Sequence, residues 1–175
     1  PGNPELASEL AARDASFTHN RTGIYGTMFI AALISCSLVL KDKYEIISTA
    51  LQYVPQKSRF FLRSKLCFEE IQKAENWEDG YLRINKLLKE YGHCRIYQEI
   101  GMMMNSFIFA NNTSEGICIQ VSQGADTDSF GASSGSVLGS YYGLDGLESK
   151  WLEPFNDDIH TGMAWFVERS INKLA

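Results

Sequence analysis

Gly124-Ala125-Asp126-Thr127-Asp128-Ser129-Phe130-Gly131 opens a segment in which Gly131, Gly135, Gly139 and Gly143 recur every fourth residue. That spacing places the four glycines along one face of a helix. A glycine costs about 1 kcal/mol relative to alanine in a helix interior, so four on one stripe call for a compensating gain, which close backbone approach by another helix would supply. A flexible Gly/Ser linker is the competing reading, but it would leave Val137, Leu138, Tyr141 and Tyr142 in water. The segment is therefore expected to be a helix packed through its glycine face.

Two carboxylates and a hydroxyl, from Asp126, Asp128 and Ser129, stand at the start of this helix. They can converge on one hard cation, because Mg²⁺ and Mn²⁺ prefer oxygen ligands. The same residue types are favoured as ordinary N-caps, and spacing alone favours the cap. A calcium loop of the EF-hand type fails position by position. Phe130 falls where the third oxygen ligand belongs, and Val137 where the bidentate glutamate belongs.

Towards the N-terminus the chain reads as a succession of helices. Asn3 and Pro4 supply an N-cap and first-turn proline for a helix over 5–17, with Leu6, Leu10 and Asp14 at helical spacing. Residues 18–26 read as a loop, and Thr27 to Leu40 as a buried helix too short to span a bilayer. Asp42 caps the next helix, which stops before Pro55. Helical periodicity then covers 57–76, with Phe60, Phe61, Leu66 and Ile71 inward, and continues through Leu82, Leu87 and Leu88 to a C-cap at Gly92. Ile96 to Ala110 and a shorter helix capped by Asn112 or Thr113 follow. Helices fill nearly the whole chain, and the pattern predicts an all-α domain.

With 175 residues, 45% of them hydrophobic, the chain is expected to form a single domain with a sizeable core. A net charge of −5 argues against nucleic acid or an anionic membrane as a partner. Lys57, Arg59, Arg63 and Lys65 do cluster, and read as the solvated face of a helix. Cys36, Cys67, Cys94 and Cys118 form no C-x-x-C pair and read as buried free thiols in a reducing compartment. With no secretory leader visible in the sequence, a cytoplasmic location is expected.

Gly124 to Gly131 is similar to the G-G-D-T-D-T-x-G motif of ADP-ribosylglycohydrolases. The likeness continues through Tyr141-Tyr142-Gly143, Trp151-Leu152-Glu153-Pro154 and Asn156-Asp157-Asp158-Ile159. Nearer the N-terminus, Ala12-Arg13-Asp14-Ala15, Thr18-His19 and Gly23-Ile24-Tyr25-Gly26 resemble a second block of the family. The resemblance implies an orthogonal multi-helix bundle and a hydrolase that cleaves the N- or O-glycosidic bond between ADP-ribose and a modified protein or small molecule. It assigns Asp126 and Asp128 as catalytic metal ligands, joined by Ser129, at a Mg²⁺ or Mn²⁺ centre that is dinuclear in the full-length protein. It also places His19, Gly23, Tyr25 and Gly26 against ADP-ribose.

Ala125 replaces the motif's second glycine, with the loss of one methyl's worth of room, and Ser129 replaces threonine with its hydroxyl kept. The family's remaining metal ligands come from an acidic D-D-T/S-like motif lying N-terminal to the segment in hand, and nothing in 1–175 matches it. Asp157-Asp158 is followed by Ile159. The resemblance thus makes 1–175 the C-terminal portion of the family's fold. Two rivals stay open: a non-catalytic ADP-ribose or nucleotide binder, and a structural relative that keeps only the scaffold.

Overall fold

A computed structural model describes residues 1–174. Eight helices of eight residues or more follow one another: α1 (Pro4–Ala15), α2 (Thr22–Ser37), α3 (Lys43–Ala50), α4 (Arg59–Ile71), α5 (Trp77–Leu88), α6 (Ile96–Phe109), α7 (Thr113–Ser122) and α8 (Thr127–Tyr142). Short 3₁₀ turns and a four-residue α9 (Ile171–Leu174) complete the described residues, which contain no strand. The expected all-α bundle is observed. Among the described residues no helix is long and apolar enough to cross a membrane.

Local chemistry sets most boundaries. Asn3, Asp42, Ser58, Asn76 and Asn112 each accept the backbone N–H three residues on, capping α1, α3, α4, α5 and α7. Gly143 ends α8 with φ of +70°. The core is built around α2 and α6. Phe29 and Leu33 of α2 and Ile100, Met103 and Phe107 of α6 meet Ile46 and Ile47 of α3, Phe60 of α4, Ile84 of α5 and Val137 of α8, all fully buried. Phe29 and Phe60 make an edge-on pair with ring centroids 6.2 Å apart.

Phe60, Ile71 and Leu88 are buried as their spacing predicts, whereas Leu66 and Leu82, and Leu6 and Leu10 on α1, are exposed. The packed faces run through Ser8 and Ala15 on α1, through Phe60, Ser64, Cys67, Phe68 and Ile71 on α4, and through Gly80, Ile84 and Leu88 on α5. Small residues on these faces let neighbouring helices come close. At Gly80 a Cβ would stand 2.0 Å from Asn105 Oδ1 of α6. Gly92 lies beyond the end of α5, whose C-cap is Lys89. Cys36 and Cys67 are buried free thiols, whereas Cys94 and Cys118 are exposed.

The glycine stripe of α8 behaves differently from expectation. The space a Cβ would occupy at Gly131, Gly135 and Gly139 has no neighbour within 4 Å, so no helix among the described residues approaches that face. α8 packs instead through Phe130, Ser134, Val137 and Leu138 against α7, α2 and α6. Nothing among the described residues accounts for the stripe.

A buried polar network joins α5, α6, α7 and α8. Asn105 Nδ2 donates to the Trp77 carbonyl at 2.8 Å and to Gln123 Oε1 at 2.9 Å. Gln123 Nε2 donates to Ser106 Oγ at 2.8 Å and to the Met102 carbonyl at 3.1 Å. Ser106 and Ser134 both donate to Gln120 Oε1, at 2.9 and 2.8 Å. Deleting one member strands buried partners, which costs more than the net worth of the bonds themselves. Asn105→Ala is therefore expected to cost about 2–4 kcal/mol, at roughly 2–4 °C of melting temperature per kcal/mol for a chain of this size. A thermal melt within 1 °C of wild type would contradict this.

Candidate active site at the N-terminal ends of α2, α6 and α8

The residues that resemblance singles out separate into three places. His19, Gly23 and Gly26 line a cleft of about 740 Å³, closed on its other sides by Cys94, Arg95 and Glu99 around the start of α6 and by Ser133 of α8. Asp126 is the N-cap residue of α8, and Asp128 and Ser129 lie in its first turn; none of the three lines the cleft, but the charge of Asp126 acts on Glu99 and Cys94 in its wall. Tyr25 lies outside it, half-buried and lining a smaller neighbouring pocket with Arg21 and Arg59.

The expected loop over 18–26 is shorter than its composition suggests. Only residues 16–21 turn; Thr22 starts α2, so Gly23 and Gly26 sit in its first turns. The run Gly23-Ile24-Tyr25-Gly26 joins the apolar helix after it because nothing in it breaks the ladder, and the chain reverses at Arg21, whose φ is +46°. His19 lies over Gly23, with Cδ2 2.8 Å from where a Cβ would be, and its Nδ1 is hydrogen-bonded to Thr18 Oγ1 at 2.7 Å. Ile96 of α6 fills the equivalent space at Gly26. The two glycines thus let side chains of this chain pack closely at the cleft wall.

The turn into α8 is shaped by its backbone. Gly124 and Ala125 have φ of +76° and +64°. The second value shows what a glycine in the motif provides at this position, which is freedom in the left-handed region more than room. The turn then presents Asp126 at the N-cap position with no side-chain bond to the helix, so the ordinary cap weighed from spacing does not form. Asp128 Oδ1 accepts the Ser129 N–H at 2.7 Å. Its carboxyl is held below the usual range, first by the hydrogen bond it shares with Asp126 and then by the Ser129 N–H.

Glu99 is the residue the sequence reading passed over. It lies on α6 in the cleft wall, its Oε1 accepting the Ser133 hydroxyl at 2.9 Å, and it has no cationic partner among the described residues. Burial pushes its carboxyl above the ordinary glutamate range, and the negative charge of Asp126 adds to the shift, against the lowering by Ser133. The Cys94 thiol is raised in turn by local desolvation and by the charge of Asp126. No periodicity or motif marks Glu99; its only signal is that it is the one charged residue in the run Ile96 to Phe109.

One regularity ties the cleft to the fold. Of the eight longer helices, five have side-chain N-caps, and the three without one are α2, α6 and α8. α2 and α6 begin at the cleft and α8 reaches it through Ser133, and none of the three has a side-chain N-cap. Such ends attract negative charge and hydrogen-bond acceptors. A family model described as ADP-ribosylglycohydrolase matches residues 1–174. The chain belongs to the ADP-ribosylglycohydrolase family. No curated protein and no solved structure matches it. Membership of the ADP-ribosylglycohydrolases supports a glycohydrolase-type function. Among the described residues no group of three or more His, Cys, Asp or Glu side chains is placed to hold a metal ion.

Two outcomes follow for the site. Ala125→Gly is expected to relieve the left-handed backbone and leave the chain up to about 1 kcal/mol more stable, whereas Ala125→Val should destabilise it. Thermal melting checks the order Gly, Ala, Val, and any other order would refute the backbone argument. For Glu99, a folded-state value raised above the unfolded one means the folded chain binds more protons between the two. Stability is then lost as pH rises through that window. Glu99→Gln should therefore raise the melting temperature at about pH 8 and raise it less at about pH 4. A gain equal at both pH values would count against a raised carboxyl.

Proposed function

We propose that this chain carries the substrate cleft and one set of metal ligands of a hydrolase that removes ADP-ribose from a modified protein or small molecule. The observation that carries this reading is that, in a member of the family, α2, α6 and α8, none with a side-chain N-cap, meet at one cleft whose Glu99 and Cys94 feel the charge of Asp126. Asp126, Asp128 and Ser129 match an oxygen-loving divalent cation in kind, since the Asp126 side chain is not spent on capping. They fall short in number. A complete Mg²⁺ or Mn²⁺ centre takes further oxygen ligands from outside these three residues, and in our reading a dinuclear site is completed by the family's paired-acid motif.

A divalent cation bound there would supply positive charge to the ribose hydroxyls and ease deprotonation of the attacking water. The chain's own residues do the rest. Asp126 and Asp128 fix where that charge sits, and Ser129 adds a neutral oxygen beside them. Glu99, its carboxyl raised by burial, stands in the cleft wall as the group to exchange a proton with a substrate oxygen. The stacked rings of Tyr91 and Tyr97, centroids 4.2 Å apart, line the same cleft and exclude water from one side of it. The incomplete donor set favours one rival, an ADP-ribose binder without turnover.

Thermal melting with Mn²⁺ or Mg²⁺, with and without ADP-ribose, separates the two. A ligand at about a hundred times its dissociation constant stabilises the folded state by about 2.7 kcal/mol. The hydrolase reading expects a rise from ADP-ribose that metal enlarges, with Asp128→Asn cancelling the enlargement. ADP-ribose stabilisation indifferent to metal in both proteins would leave the binder as the function, and no response to ADP-ribose at all would refute both.

A further inference from the structure

The smaller pocket beside the cleft has a chemistry of its own. Six residues line its roughly 350 Å³: Arg21 and Thr22 at the start of α2, Tyr25 one turn on, Ser58 and Arg59 at the start of α4, and Tyr97 of α6. Every one offers a hydrogen-bond donor, two are cations, and none is a carboxylate. That is a sharp local excess of positive charge in a chain whose net charge is −5. Neighbouring cations on α4 are paired, Arg63 with Glu90 and Lys65 with Glu69, whereas Arg21 and Arg59 have no acidic partner among the described residues. Arg59, grouped from sequence with a solvated basic face, thus lines a concave site. Ser58 Oγ accepts the Phe61 N–H, which leaves its own hydroxyl hydrogen to donate.

From this cavity we infer a binding site for a phosphate-type anion, a phosphate monoester or a diphosphate, held between Arg21 and Arg59 and by the hydroxyls of Tyr25 and Tyr97. Guanidinium groups match the oxygens of phosphate in a planar, two-pronged fashion, and two of them facing one pocket suit a doubly charged anion better than a single carboxylate. The site is separate from the metal-ligand turn and depends on none of its residues. Its wall towards the cleft is formed by Thr22 and Tyr97, whose hydroxyls are 3.4 Å apart, and both residues also line the cleft. The anion can therefore come from two sources, free in solution or as the phosphate end of a ligand whose sugar lies in the cleft.

The test is isothermal titration of the chain with pyrophosphate in EDTA, which keeps the metal question out of the readout. Wild type should bind, Arg21→Gln and Arg59→Gln should each weaken binding roughly tenfold, and the double variant should show none. Lys86→Gln, which removes the same charge from α5, should bind as wild type. Melting curves of each variant establish that it is folded, and both arginines are exposed enough for substitution. Absence of pyrophosphate binding by wild type, or equal loss in Lys86→Gln, overturns the proposal. Titration with ADP-ribose then distinguishes the sources. Weakening by the arginine substitutions makes the anion part of a longer ligand, and no change makes this an independent anion site. Either result can stand while Asp128→Asn fails its own test, so the two readings fail separately.

Discussion

The buried amides of Asn105, Gln120 and Gln123, with the hydroxyls of Ser106 and Ser134, form the constraint on which the acidic turn depends. Gln123 is the residue before Gly124, and its side chain is held by α6 on three atoms. The chain leaving α7 therefore has a fixed position and must turn within Gly124 and Ala125 to enter α8, whose own depth is set by Ser134 on Gln120. Both turning residues adopt positive φ as a result. A left-handed alanine costs of the order of 1 kcal/mol, far less than would be lost by breaking several buried hydrogen bonds, so the backbone yields and the network does not. Asp126 emerges from that turn at the N-cap position with its side chain making no cap to the helix.

The far end of α8 is anchored by a different device. Lys43 of α3 places its ammonium among the rings of Phe107, Tyr141 and Tyr142, 5.4 to 5.5 Å from each centroid, and donates to the carbonyls of Ile108 and Ala110. Those carbonyls close the C-terminal end of α6, where a cation is favoured. Burial pushes the ammonium down from its ordinary range. Tyr142 donates to the same Ala110 carbonyl, and Tyr141 to that of Lys41. α8 is thus held at its middle by polar bonds and at its end by a cation and two tyrosines, and only its first turn is left to chemistry.

How much of this was legible in the sequence follows from what each signal reports. Caps are local, and Asn3, Asp42 and Asn112 were readable because one side chain and one N–H three residues on decide them. The apolar helix after Thr27 was readable for the same reason. Burial on α4 and α5 was readable in part, since Phe60, Ile71 and Leu88 are buried as their spacing predicts while Leu66 and Leu82, on the same periodic pattern, are exposed. The motif Gly124 to Gly131 was legible through resemblance, but the meaning of Ala125 required a dihedral angle. Glu99 was invisible because its role comes from Ser133 and Asp126, residues 34 and 27 positions away that only the packing of α6 on α8 brings near. The site therefore divides as physics would have it, with its local half legible and its tertiary half hidden.

The distribution of caps bears on why the cleft lies where it does. A helix that begins in solvent loses little by spending a Ser, Asp or Asn on its first turn, and α1, α3, α4, α5 and α7 all do so. At α2 and α6 the N-cap residue is an arginine, which cannot accept a backbone N–H, and at α8 it is an aspartate whose side chain makes no cap. Leaving three first turns uncapped forgoes about 1 kcal/mol apiece. In the cleft wall Glu99 stands with Arg95 and feels the charge of Asp126, Arg21 and Arg59 line the neighbouring pocket, and the Thr22 and Tyr97 hydroxyls lie between the two. The cleft and the smaller pocket thus share one hydroxyl-bearing wall, built from the first turns of α2 and α6.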